Sequence, residues 1–252
     1  MDSRSAVNSQ LFPILIGKGK LARHLHHYFH LAEFSHKHFD DARDLSNPDL
    51  YRKTREVNSI WILTSDKSIE AVANALKSEM IKRDLNPSNY TWIHSSAATS
   101  IESMHTFHPL MTFGEDLYSL EQYKAVPLAV ISPKADELAS RLALPNPQFI
   151  IPNEQRAFYH ASAVMMSNLP ILLWSLVSSE AKKKLSLDPS IFHPILKQTL
   201  ENFISQGESA LTGPIARKDQ ASIEKNLAAI AGTPLSAIYQ AFLSTSTKGE
   251  RL

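Results

Sequence analysis

Leu11-Phe12-Pro13-Ile14-Leu15-Ile16 runs straight into Gly17-Lys18-Gly19-Lys20-Leu21-Ala22, after which Leu21, Leu25 and Phe29 recur every four residues. An apolar run, a glycine turn and a helix with one core face form a strand–turn–helix unit. The small residues have separate tasks. Gly17 permits the tight turn, Gly19 lets the backbone approach a pyrophosphate, and Ala22 lets the helix close on the strand. The first N–H groups of the helix and its dipole favour an anion at the turn. Lys18 and Lys20 add positive charge there. In this context Gly17, Lys18, Gly19, Lys20, Leu21 and Ala22 are read as a dinucleotide-binding loop. The plain alternative is a tight turn that binds nothing.

Further apolar runs follow at Ile60–Leu63, Tyr90–Ile93, Leu128–Ile131 and Phe149–Ile151, with helical patterns at Ile69–Leu76 and Ala135–Leu142 between them. Buried strands alternating with helices predict an α/β domain, a mostly parallel sheet of Rossmann type. From Asn153 onward only helical patterns appear. A long helix should run to about Lys184, kinked near Pro170. Asp188–Pro189 and Thr233–Pro234 read as cap-plus-proline starts, Asp219 as a cap, and Gly207 and Gly232 as stops. The expected division is a Rossmann domain at residues 1–152 and an all-α domain for substrate and dimerisation at 153–252.

The chain has 252 residues, 43% hydrophobic and 20% charged, which is ordinary globular composition. Twenty-six Lys+Arg balance twenty-five Asp+Glu, which argues against nucleic acid as the main partner. The absence of cysteine excludes disulfides, thiol catalysis and Cys-based metal sites. Met1–Gln10 is polar and reads as a frayed leader. The most apolar window, Ala161–Val177, is broken by Ser167, Asn168 and Pro170, so it is read as a buried helix and not a membrane span. A cytoplasmic protein without a membrane partner is expected.

The acid that holds the ribose in NAD-binding proteins follows the second strand. That strand is placed near Ala32–Ser35, so it ends in Ser35-His36-Lys37-His38. His36 and Lys37 there would suit the 2′-phosphate of NADP(H), or form a solvated turn. Asp40 and Asp41 just beyond keep NAD(H) open. Six of the eleven histidines lie between His24 and His38. His26 and His30 are one turn apart, but no carboxylate completes a set, so no metal site is read.

Thr64-Ser65-Asp66 and His94-Ser95 end the next two strands, where ligands of such sheets bind. Asp66 is read as an N-cap, and Thr64, Ser65 and His94 as cofactor contacts. His108 and His160 are acid–base candidates because imidazole exchanges protons near neutral pH. Either can equally be a structural donor. Tyr159-His160 and Ser167-Asn168 lie on the long helix, and His160 and Asn168 share a face. Arg217 could hold an anionic group or simply be solvated.

At these residues the chain resembles the Rossmann-like oxidoreductases that carry a C-terminal helical domain of unknown function. Five segments carry the likeness: Ile16–Ala22; Ile62–Asp66; His94–Ala97 with Phe107–Phe113; Arg156–Ala163 with Ser167-Asn168; and Ala210–Asp219. Two departures are lysines in the first turn and Ser96-Ala97 where the family often has glycine. The resemblance implies an NADP-binding domain, a helical domain that helps form a homodimer, and a cleft near His94, Ser95, His108, His160 and Asn168. The wider superfamily is similar to pyrroline-5-carboxylate reductase, 6-phosphogluconate dehydrogenase and prephenate dehydrogenase.

The expected activity is NADP(H)-dependent hydride transfer with a small carbonyl, imine or hydroxy acid. NAD remains possible. Catalytic roles fall to His160, Asn168, His108 and Ser95. A non-catalytic dinucleotide sensor, a prephenate- or arrogate-dehydrogenase-like enzyme (from His108-Pro109) and a deazaflavin-dependent reductase are the rivals.

Overall fold

The computed structural model describes residues 12–40, 57–142 and 144–246. The Met1–Gln10 leader and Asp41 lie outside them. The first strand, β1 (Phe12–Ile16), leads through the glycine turn into α1 (Lys20–Leu31). Then come β2 (Lys37–Phe39), β3 (Val57–Ile62), α2 (Ile69–Lys82), β4 (Thr91–His94), β5 (His105–Pro109), α3 (Leu120–Lys124), β6 (Leu128–Ile131), α4 (Ala135–Leu142) and β7 (Gln148–Ile150). The remainder is helical: α5 (Arg156–Leu185), α6 (His193–Gln206), α7 (Gly213–Ala216), α8 (Gln220–Ala229) and α9 (Pro234–Ser246).

The seven strands form one sheet in the order β2-β1-β3-β4-β5-β6-β7. Every pairing is parallel except β5 with β6. Alternate side chains go to opposite faces. Leu15, Trp61, Ile93 and Phe107 pack with Leu25 and Phe29 of α1, Tyr123 of α3 and Leu138 of α4. Ile14, Ile16, Ile60 and Ile62 pack with Ile69, Ala73 and Leu76 of α2. The chain leaves β1 toward β2 and returns to the other side as β3, so the strand order reverses at β1/β3. Ligands of open α/β sheets bind at that reversal, beyond the carboxyl ends.

The second strand lies at Lys37–Phe39 and not at Ala32–Ser35. The earlier residues terminate α1 instead. Phe34 N–H bonds back to Phe29 O (2.9 Å) and Glu33 N–H to His30 O (3.2 Å), with Glu33 left-handed at φ 55. This is a Schellman ending with glutamate where glycine is usual. Asp66 is not a side-chain cap. Ser65 precedes a short 3-10 turn, Asp66–Ser68, and Ser68 precedes α2, and neither start has a side-chain cap. The other caps form as expected: Asp188 accepts from Ser190 N–H (2.8 Å), Asp219 from Ser222 N–H (3.1 Å) and Thr233 from Leu235 N–H (3.3 Å).

The structure separates into compact units at residues 1–164 and 165–252, with Pro170 inside the continuous α5. In the second unit Ile223 is the one buried large hydrophobic residue among those described, while Met166, Ile195 and Ile204 are 62–75% exposed. The apolar window of α5 is therefore not the buried helix its composition suggested. Asn153–Leu185 is long and apolar enough to cross a membrane by length and composition, with mean hydropathy 1.5 and none of the window buried.

Candidate functional site

Gly17 has φ +143, and a Cβ on it would stand 2.2 Å from the carbonyl oxygen of Leu63. The tight approach is fixed by Leu63 N–H to Ile16 O (2.8 Å) and Gly17 N–H to Phe39 O (2.9 Å). Gly19 is the N-cap of α1, in extended conformation and without a side-chain cap. A Cβ there would meet nothing within 4 Å. Ala22 is fully buried beneath the turn. The first N–H groups of α1 thus open on a cleft of about 730 Å³, lined by the Gly17–Leu21 turn, Asp40, Thr64–Asp66 and Ser95-Ser96. Two side chains lining it, Thr64 and Ser95, have buried hydroxyls with no hydrogen-bond partner. Lys20 pairs with Glu115 (2.8 Å), which also holds Arg23 (3.3 Å).

The new position of β2 changes the ribose end. Ile14 lies level with Lys37 and Ile16 with Phe39, so Asp40 follows the carboxyl end of β2. His36 and Lys37 stand at its amino end. His36 Nδ1 donates to Phe34 O (2.7 Å), which leaves its Nε2 to accept from His26 Nδ1 (2.8 Å). Burial and neighbouring histidines lower the pKa values of both His26 and His36. His38 Nε2 donates to Gly17 O (2.8 Å) and lies 3.5 Å from Asp40 Oδ1, tying the strand end to the glycine turn. Among the described residues no group of three His, Cys, Asp or Glu could hold a metal.

Farther along the carboxyl edge, His94, Thr106 and His108 share the α2 face. His94 is fully buried. Its Nδ1 accepts from Ser96 N–H (3.2 Å), so Nε2 carries the proton toward Thr106 Oγ1 (3.1 Å). Burial, aided by Arg156, pushes its pKa down to about 4, with Asp66 opposing. Neutral His94 therefore shapes the loop that carries Ser95. Arg156, itself buried, binds the carbonyls of Ser96 and Thr99 and clamps the same loop.

His108 Nδ1 lies 2.7 Å from the hydroxyl of Tyr159, the rings nearly perpendicular at 85°. Burial, then His160, pushes His108 down to about 4, again against Asp66. Burial lifts Tyr159 to about 12. Asp66, which lines the cleft, raises both histidines electrostatically, and His108 stands on β5, two strands beyond β3, after which Asp66 follows. The sequence points to Tyr159 beside His160 on the long helix but assigns it no catalytic role. Its signal was adjacency to His160 at the start of an apolar helix. In the second unit, Asn168 is exposed on α5 and accepts from Ser167 Oγ (2.7 Å).

Solved structures share the fold over 93–95% of the chain. A proposed NADP oxidoreductase from Bacteroides fragilis superposes with TM-score 0.70 at 17% identity, covering 95% of this chain and 98% of that one. A protein from Thermotoga maritima gives 0.69 at 20% identity, covering 93% and 96%. Pyrroline carboxylate reductase of Plasmodium falciparum, solved with NADP bound, gives 0.54 at 12% identity, covering 94% and 98%. No curated protein matches the sequence. The fold is thus of Rossmann type, and residues 129–246 match the family described as Domain of unknown function (DUF2520).

Proposed function

We propose that the protein is a cytoplasmic NADP(H)-dependent oxidoreductase, able also to take NAD(H), that acts on a small carbonyl, imine or hydroxy acid. One observation carries the reading: the uncapped start of α1 opens on a cleft where Gly19 leaves space and the Thr64 and Ser95 hydroxyls lack partners. Unsatisfied buried hydroxyls are costly and call for a polar ligand. The backbone of Gly17–Ala22 would hold the pyrophosphate, with Lys18 and Lys20 balancing charge. Thr64, Ser65 and Ser95 would contact the nicotinamide half. When bound, the dinucleotide supplies or takes the hydride. The chain's own residues position it and move the accompanying proton in the group around His108 and His160. The likeness to the Plasmodium falciparum reductase solved with NADP supports the 2′-phosphorylated cofactor, while Asp40 at the end of β2 supports NAD(H) as a second ligand.

The second unit is proposed to pair with a second copy of the chain. Its exposed apolar side chains frame a groove of about 530 Å³ lined by Met165, Met166, Trp174, Ile195, Leu200 and Phe203. Contiguous exposed apolar side chains of this kind mark an interface.

The test is a titration of purified protein with NADPH and NADH. Both should bind. Gly19→Glu should abolish binding, because its carboxylate enters the pyrophosphate space. Asp40→Ser should favour NADPH over NADH by roughly fivefold, since removing a carboxylate beside a phosphate removes a repulsion of about 1 kcal/mol. No binding of either dinucleotide overturns the reading.

A further inference from the structure

We propose that Tyr159 is the catalytic proton donor and that His108 is its positioning partner. This rests on the redox reading of the cleft. The strand order places β5 two strands beyond β3 on the side away from β2. The glycine turn follows β1, three strands from β5, so at the usual strand spacing His108 lies about 14 Å along the carboxyl edge from it. That is the end opposite the ribose-binding strand, where the reacting half of a dinucleotide would lie. Here the chain brings together one hydroxyl and one imidazole at 2.7 Å from elements 51 residues apart.

The chemistry decides which of the two gives the proton. His108 holds no extra proton at neutral pH, since burial and His160 push it down to about 4. It is therefore a poor acid there. The Tyr159 hydroxyl keeps its proton to about 12 and remains a better acid than an alcohol or amine product. With the His108 Nδ1–H donating to Tyr159 Oη, the phenol proton is left to point at the substrate. When the substrate carbon gains a hydride, the C=O or C=N π bond breaks. The oxygen or nitrogen then takes the Tyr159 proton. Tyr159 becomes tyrosinate, held by the same hydrogen bond. Nδ1–H then passes to the tyrosinate as Nε2 takes a proton from solvent, and His108 returns to its Nδ1–H form by giving up the Nε2 proton and regaining one at Nδ1 through exchange with solvent before the next turnover. The electrostatic influences on His108 come from Asp66 and His160, and they oppose each other.

The experiment follows oxidation of NADPH with cyclohexanone, methylpyrroline and pyruvate as probes, alongside direct dinucleotide titration. Tyr159→Phe should lose at least about 100-fold in turnover, the usual size of general-acid catalysis, with the dinucleotide Kd unchanged within about twofold. His108→Ala should lose less and move the pH profile of turnover. His108→Asn keeps an N–H donor near Nδ1, so it should recover most of the rate and lack the relay. Turnover of Tyr159→Phe within about threefold of wild type would overturn the proposal. So would identical pH profiles for wild type and both His108 variants, a readout that survives if Tyr159→Phe does not fold. A wild type that binds dinucleotide but reduces no probe overturns the proton-donor role while the binding site stands. A wild type that binds no dinucleotide overturns the parent reading.

Discussion

The sheet unit and the helical unit solve the burial problem differently. In the first, Leu15, Trp61, Phe107, Ile16 and Ile62 are all within 1% of complete burial, and helices cover both faces. In the second, apolar residues are as plentiful but stay on the surface: Met166 is 70% exposed and Ile204 75%. A sheet bonded strand to strand with helices on each face closes a core within one chain. A few helices, each apolar on several sides, do not. The first unit is thus a finished scaffold for a cleft, while the second leaves its hydrophobic surface for another surface to cover.

The largest effect is expected where the scaffold is tightest. Gly17→Val places a branched side chain where even a Cβ would be 2.2 Å from Leu63 O, at φ +143. The sheet must open at β1/β3, at a cost above about 4 kcal/mol. The melting temperature should fall by about 10 °C or more. Gly19→Val, two residues on, meets open space and should melt within about 2 °C of wild type while losing dinucleotide binding. Equal melting of the two variants would show that the close approach at Gly17 does not hold the sheet together.

The next effect belongs to the helical unit. Ile195 is 62% exposed in the single chain, so Ile195→Glu leaves the monomer intact. In a dimer it buries an unpaired carboxylate, which costs about 3–5 kcal/mol and weakens association by more than about 100-fold. Light scattering should show a wild-type dimer and a monomeric variant of unchanged helicity. A wild type that is monomeric at micromolar concentration, or that partitions into lipid vesicles, would assign this face to another cover.

The same contrast explains what was legible in the sequence. Strand, glycine turn and α1 were visible because their signals are local: a run of Leu11–Ile16, two glycines and a four-residue repeat. The caps Asp188, Asp219 and Thr233 were visible for the same reason. The position of β2 was not, because α1 ends on Glu33 in a conformation that glycine normally announces. Nor was the direction of β6, since Leu128–Ile131 is buried throughout whichever way it runs. The apolar Ala161–Val177 window suggests burial, but apolarity records that a face needs covering, not which molecule covers it. Among the site residues, the glycine turn and the strand ends could be read one at a time. The Tyr159–His108 pair could not, because only folding brings the two together.

A smaller effect separates the units by pH. His94 in the sheet unit is enclosed as the neutral imidazole, with its pKa moved from 6.5 to about 4. Below pH 6.5 the unfolded chain binds a proton that the folded chain refuses, so stability falls as pH drops toward 4 and is level above. The loss is on the order of 3 kcal/mol for the buried group. His108 adds in the same direction. The shifted groups of the helical unit are the cap carboxylates Asp188 and Asp219, held below the usual carboxylate range by their bonds to Ser190 and Ser222. Their contribution is retained through this window and goes only when pH falls through their own lowered pKa values. Urea unfolding at pH 7 and pH 4.5 should therefore destabilise the sheet unit first. His94→Asn, which cannot take up the proton, should lose about 2 kcal/mol less than wild type over that interval. Parallel losses in the two proteins would mean that the His94 proton is not what sets the acid sensitivity of the sheet, and that the weaker unit in acid must be sought elsewhere.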